Sequence, residues 1–124
     1  MSSISSKRIK ARTKRKIGIR KRIHGTPERP RLTVFRSHRN IYAQVVDDLK
    51  GATLLACDGK HAAAEEIPEG VDGKCAVAYK VGRTIAAKAK DQGITTMVFD
   101  RSGYLYHGRI AALARGLRDG GIEV

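Results

Sequence analysis

The sequence predicts a compact α/β domain of order β-β-β-α-β-α, a mixed four-stranded sheet with helices packed on it, plus a basic N-terminal arm. Three observations carry this. Stretches after Pro30 alternate apolar and polar residues with the strand period of two. Later stretches repeat apolar residues at the helical period. Cationic residues are concentrated ahead of both. A chain of 124 residues can bury one such core but has little left for a second.

The arm comes first. The chain carries 25 Lys+Arg against 12 Asp+Glu, a net charge of +13. Residues 1–31 hold 12 of the cations and a single acid, Glu28, so the arm accounts for +11 and the body is nearly neutral. The run KRIKARTKRKIGIRKR offers only Ile9, Ile17 and Ile19 as large apolar side chains, with Gly18 interrupting. Too little apolar surface is present to anchor it on a core, so self-repulsion predicts an arm that is disordered or only partly helical until phosphates order it. The stiff Gly25-Thr26-Pro27-Glu28-Arg29-Pro30 connection marks its end, dividing the chain into an arm and linker, 1–30, and a globular domain, 31–124.

Arg31 to Ser37 and Ile41 to Val46 read as a hairpin with His38-Arg39-Asn40 as its loop. Leu32, Val34, Ile41, Ala43 and Val45 share the core face, and Thr33, Phe35, Tyr42, Gln44 and Val46 the other. A polar turn at Asp47-Asp48-Leu49-Lys50-Gly51 leads to a third strand, Ala52 to Cys57. Residues 58–73 read as a loop with room for a short helical turn. Asp72 is placed to cap a helix from Lys74 to about Gln92, with Val77, Val81, Ile85 and Ala89 on one face and Gly93 as its stop. Ile94 to Phe99 reads as a fourth, buried strand. A second helix follows from about Gly108, with Ile110, Leu113, Ala114 and Leu117 inward and Gly120-Gly121 ending it.

Composition also excludes. No apolar run approaches a membrane span. Cys57 and Cys75 lack zinc spacing, so no metal and no cofactor are expected. The Ser- and Arg-rich, acid-poor start is compatible with an organellar transit peptide, but its short reach to the first strand favours a permanent binding arm.

Three constellations suit RNA. Lys7, Arg8, Lys10, Arg12, Lys14, Arg15, Lys16, Arg20, Lys21 and Arg22 offer charge without base-edge geometry, suited to backbone phosphates. If about six engage, log affinity falls against log salt with a slope of roughly −4 to −5. On the hairpin, Arg31, Arg36, Ser37, His38, Arg39, Tyr42 and Gln44 bring cations, amides and an aromatic ring together, as phosphate, 2′-hydroxyl and base recognition requires. Arg101, Tyr104, His107 and Arg109 lie in a loop leading from a strand end into a helix N-terminus, where free N–H groups attract phosphate. A catalytic reading of this loop, with Asp100 and His107 as acid and base or Ser102 as nucleophile, lacks a nucleophile-elbow context, and no catalytic residue is assigned. A small nuclease and a DNA-binding architectural protein are the rival classes, separable by metal-dependent turnover and by comparing duplex DNA with folded RNA at one salt concentration.

The stretches ERPRLTVFRSHRNIYAQVVDD, TLLA and VGRTIAAKAKDQGITTMVFDRSGYLYHGRIAALARGLRDGGIEV resemble the bacterial-type ribosomal large-subunit protein eighteen family over almost the whole chain after the arm. The resemblance implies a 5S rRNA-binding protein that helps dock that RNA in the central protuberance and also contacts 23S rRNA. It implies neighbouring large-subunit proteins as further partners, a monomer outside the ribosome, and work in the cytoplasm, with a plastid ribosome left open. Arg31, Arg36, Ser37, Arg39, Tyr42 and Gln44 fall in the family's first RNA-contacting block, and Arg101, Tyr104, His107 and Arg109 in its second. Ser102-Gly103 stands where the family often has Gly-Gly.

Overall fold

In the computed structural model, which describes residues 4–20, 25–38, 40–63 and 66–124, seven elements follow one another. They are helix α1 (Ile4–Arg20), strands β1 (Arg31–Arg36), β2 (Ile41–Asp47) and β3 (Ala52–Asp58), helix α2 (Gly73–Asp91), strand β4 (Val98–Asp100) and helix α3 (Gly108–Asp119). The strands form one mixed sheet in the order β3-β2-β1-β4, with β1 antiparallel to β2 and parallel to β4. Past α1, the element order is the expected one.

Strand alternation decides the two faces. Leu32, Val34, Ile41, Ala43 and Val45 are buried, joined from β3 by Leu55 and Cys57. On this side α2 packs against β2 and β3, and α3 packs on α2. Val81, Ile85 and Ala89 of α2 and Ile110, Leu113, Ala114 and Leu117 of α3 complete the core. Val77 departs from its expected place. It is exposed and lies near Gly59, where a side chain would meet it.

The two helices meet through glycines. A Cβ on Gly82 would come 2.2 Å from the carbonyl oxygen of Leu113, and one on Gly116 would come 2.3 Å from that of Tyr79. Their absence lets the backbones approach directly. At this crossing Tyr79 also donates its hydroxyl to Asp119, 2.7 Å away, and Arg83 donates to the Asp119 carbonyl.

Several boundaries differ from expectation. The hairpin loop is four residues, 37–40, because Arg36 pairs with Ile41. It closes by the Ser37 N–H donating to the Asn40 carbonyl and the Asn40 N–H to the Ser37 hydroxyl. The fourth strand is only Val98–Asp100; before it, Thr96 makes an isolated bridge with Glu123, so the chain terminus borders this edge. Asp72 occupies the cap position of α2, but its carbonyl rather than its side chain accepts the first N–H groups, from Cys75 and Ala76. No helical turn occurs among the described residues of 58–72.

Helix α1 is the largest difference, since repulsion predicted an arm disordered or only partly helical on its own. Its first turn holds no acidic residue, and among its described side chains Ile9 and Ile17 are exposed. Its side chains instead reach the body: Arg15 Nε donates to the Gly103 carbonyl at 2.8 Å, and Arg12 Nη1 to the Tyr104 hydroxyl at 3.3 Å. The linker belongs with the body. Gly25 exchanges hydrogen bonds with Asp48, and Pro30 and Glu28 accept bonds from Val98 and Thr96.

Candidate nucleic-acid interface

The sheet face away from α2 and α3 carries Thr33, Phe35, Tyr42 and Gln44, as alternation requires. Phe35 is 54% exposed and Tyr42 41%, with ring centroids 6.1 Å apart and planes tilted by 38°. Exposed, mutually supported rings beside an amide offer a stacking platform for bases. With Arg12, Thr13, Ser102 and Tyr104 they line a groove of about 530 Å³, so α1 and the loop after β4 wall one side of the open face.

Tyr104 organises that wall. Only 6% exposed, its ring has the guanidinium carbons of Arg12 and Arg36 each 4.9 Å from its centroid. Its hydroxyl donates to the Arg36 carbonyl at 3.2 Å. The ring attracts both cations through its quadrupole and holds them beside the groove. Expected as an RNA contact, Tyr104 is largely buried, lines the groove and supports the two arginines.

The loop holding Tyr104 is fixed from beneath. Asp100, fully buried, accepts from Ser102 N–H at 2.9 Å and from Arg31 Nη1 at 2.8 Å. Ser102 sits at φ +55, unusual for a residue with a Cβ, and Gly103 follows at φ +79. The Ser102 hydroxyl shares a 2.8 Å hydrogen bond with Thr33, which helps hold the turn. These positions suit the Gly-Gly of the resembling family for that backbone reason. Asp100 and Ser102 are thus committed to structure, which answers the catalytic reading of the loop.

Arg31 corrects a sequence expectation. Read as an RNA ligand, it is 5% exposed, with Nε and Nη2 both donating to Asp48 at 3.0 Å and Nη1 to Asp100. The hydrogen bond it donates to Asp48 foremost, against the opposing effect of burial, holds the guanidinium above its ordinary range. Arg31 ties the linker end to the β4 loop and has no side chain left for phosphate.

Arg36, Ser37 and His38 are exposed on the hairpin end, and Gln44 on the open face. Arg109 spans from α3 to the hairpin, donating Nη1 to the Ser37 carbonyl at 2.7 Å. Its Nε is buried and, among the described residues, has no hydrogen-bond partner. Burial, then the nearby Arg36 charge, pushes its pKa down. Arg101 donates to the Tyr104 carbonyl, bracing the loop. His107 is exposed at the N-cap of α3 without a side-chain cap. Arg8, Lys10 and Lys14 are exposed on α1, and Arg12 and Arg15 half-buried. Lys7, Lys16 and Arg20 belong to α1 by backbone position, whereas Lys21, Arg22 and Arg39 lie outside the described residues.

Sequence reasoning passed over three structural roles. Asn40, beyond closing the hairpin, accepts from Ile41 and Gly59 N–H groups through Oδ1, joining the hairpin to the end of β3. Asp48 is the anchor of Arg31, and Phe35 the partner of Tyr42. Only Phe35 had a usable signal, its place beside Tyr42 on the polar face. Among the described residues no cluster of His, Cys, Asp or Glu is gathered to hold a metal, and no helix is long and apolar enough to cross a membrane.

A cationic arm and an open aromatic face make a candidate binding surface. A family model for ribosomal L18 of archaea, bacteria, mitochondria and chloroplast matches residues 6–124. The chain belongs to the ribosomal L18 family. Ribosomal L18 proteins are structural components of the translation machinery and not enzymes. Among the relatives of this L18 chain, the large ribosomal subunit protein uL18 of Symbiobacterium thermophilum is 51% identical over 116 residues, covering 94% of each chain. That of Nitratidesulfovibrio vulgaris is 53% identical over 113 residues, 91% of this chain and 93% of its own. That of Desulfosudis oleivorans is 48% identical over 120 residues, 96% and 97%.

Proposed function

We propose that this L18 chain is a protein of the large ribosomal subunit that binds 5S rRNA and helps attach it to 23S rRNA in the central protuberance, beside neighbouring large-subunit proteins. In a bacterium that places it in the cytoplasm. The observation that carries the binding reading is the wall of Arg12, Tyr104 and Arg36 beside the open face of Phe35, Tyr42 and Gln44. Guanidinium groups meet phosphates in forked geometry, while exposed rings and amides meet bases and 2′-hydroxyls. The assignment to 5S rRNA rests on family membership.

Arm and body divide the work in this reading. The arm neutralises phosphates without reading sequence, and the rigid sheet supplies shape. The test is a salt titration of binding to purified 5S rRNA beside a scrambled RNA of equal length. Binding to 5S rRNA that survives near-physiological salt, with weak binding to the scrambled RNA, is the expected result. Equal, salt-sensitive binding to both would leave a nonspecific polycation.

A further inference from the structure

We propose that the pocket between α1 and the body takes a single phosphate group, and that this phosphate fastens α1 to the body. The inference rests on the RNA-binding reading and specifies how arm and body share one ligand. The pocket encloses about 410 Å³; Arg8, Arg12 and Arg15 enter it from α1, and Arg36, Tyr104 and His107 from the body. Among the described residues no acidic one lines it. Among the described residues no carboxylate forms an ion pair with any of these four arginines.

Arg31 has Asp48 and Asp100 beside it, and Arg115 has Asp119. Here, by contrast, Arg12 and Arg36 lie 4.9 Å from one ring centroid and so at most twice that distance apart. Guanidinium groups stay charged at any ordinary pH, and a ring quadrupole attracts cations without cancelling their charge. Arg109, outside the pocket's lining, lies close enough to Arg36 to feel its charge.

Among the described residues two hydrogen bonds and a cation–π contact hold α1 against the body, with Ile17 exposed and Ile9 half in solvent at the pocket's edge. Arginines converging from two elements make this a place for an anion. A phosphate matches it, because one tetrahedral group accepts forked hydrogen bonds from guanidiniums approaching from both sides. A backbone phosphodiester of RNA and a free phosphate ion share this chemistry.

The experiment uses the full chain and has two arms. In the first, inorganic phosphate replaces chloride at constant ionic strength while NMR follows the Nε–H signals of Arg12, Arg15 and Arg36 and circular dichroism follows helix content. The three signals should move along one saturable curve as helix content rises. In Arg36→Gln, a change outside α1, the rise should vanish; Arg36→Lys should retain part of it, and unchanged core signals in both verify folding. An equal response to chloride, or an undiminished helix gain in Arg36→Gln, overturns the proposal.

The second arm measures salt slopes of RNA binding for Arg12→Gln, Arg36→Gln and the double variant. If the two arginines grip one phosphate, the double variant flattens the slope by about 0.9; two separate phosphates would give about 1.8 and sink the shared site. Equal binding of 5S and scrambled RNA with the phosphate response intact would remove the 5S assignment and leave this site standing. Specific 5S binding without the response would do the reverse.

Discussion

Arg31 and Arg36 bound the same strand, yet one is buried between carboxylates and the other stands exposed beside Tyr104. Their substitution should separate stability from binding. Arg31→Ala leaves Asp100 buried without its guanidinium and should lower unfolding free energy by about 3 kcal/mol or more in urea titrations. Arg36→Ala should change it by less than about 0.5 kcal/mol while weakening RNA binding. Similar stability losses for both would contradict these roles. A pH effect belongs to this scale as well. Asp58 accepts a 2.7 Å hydrogen bond from His61 that, foremost among its surroundings, holds its carboxyl below the ordinary 3.8. A depressed carboxyl pKa favours the folded state above the unfolded value and loses that contribution as pH falls through the folded one. In His61→Ala the Asp58 titration, followed by NMR, should therefore move up toward 3.8; an unmoved midpoint would remove His61 as the cause.

At the scale of elements, the α2–α3 crossing sets two effects of opposite sign against each other. Alanine is the better helix former by about 1 kcal/mol, so propensity alone would have Gly116→Ala stabilise. A Cβ there would lie 2.3 Å from the Tyr79 carbonyl oxygen, which is backbone and cannot swing away. Overpacking of this kind costs roughly 1–3 kcal/mol, and we expect a net loss of up to about 2 kcal/mol by chemical denaturation. A gain would show that the helices separate without penalty. The helical faces themselves were readable, since Val81, Ile85 and Ala89 repeat along one and Ile110, Leu113 and Leu117 along the other. The glycine contact was not, because a glycine within a helical pattern signals nothing about what lies opposite it. The short fourth strand has a similar cause: Ile94 and Met97 are buried as an apolar run demands, but ladder pairing requires a neighbour, which β1 offers only from Val98 to Asp100.

For the whole molecule the question is whether charge or its placement binds RNA. Lys50→Gln with Lys90→Gln, on the β2–β3 turn and the outer end of α2, removes two charges, as does Arg12→Gln with Arg36→Gln. Only the second pair should lower affinity for 5S rRNA strongly at fixed salt, by about 5- to 150-fold if one forked contact worth roughly 1–3 kcal/mol is lost. Matching losses would mean that net charge alone governs binding. Sequence by itself determined the strand faces, the helix faces, the asymmetry of charge and the family, because periodicity and composition are properties of the chain read in order. Tertiary structure alone decided that Arg31 is an internal clamp, that Tyr104 is a buried support for two arginines, and that α1 leans on the body through cations. Each of those roles depends on a partner distant along the chain, at Asp100, Arg36 or Gly103, and local sequence carries no record of which distant group will be close enough to compensate a charge.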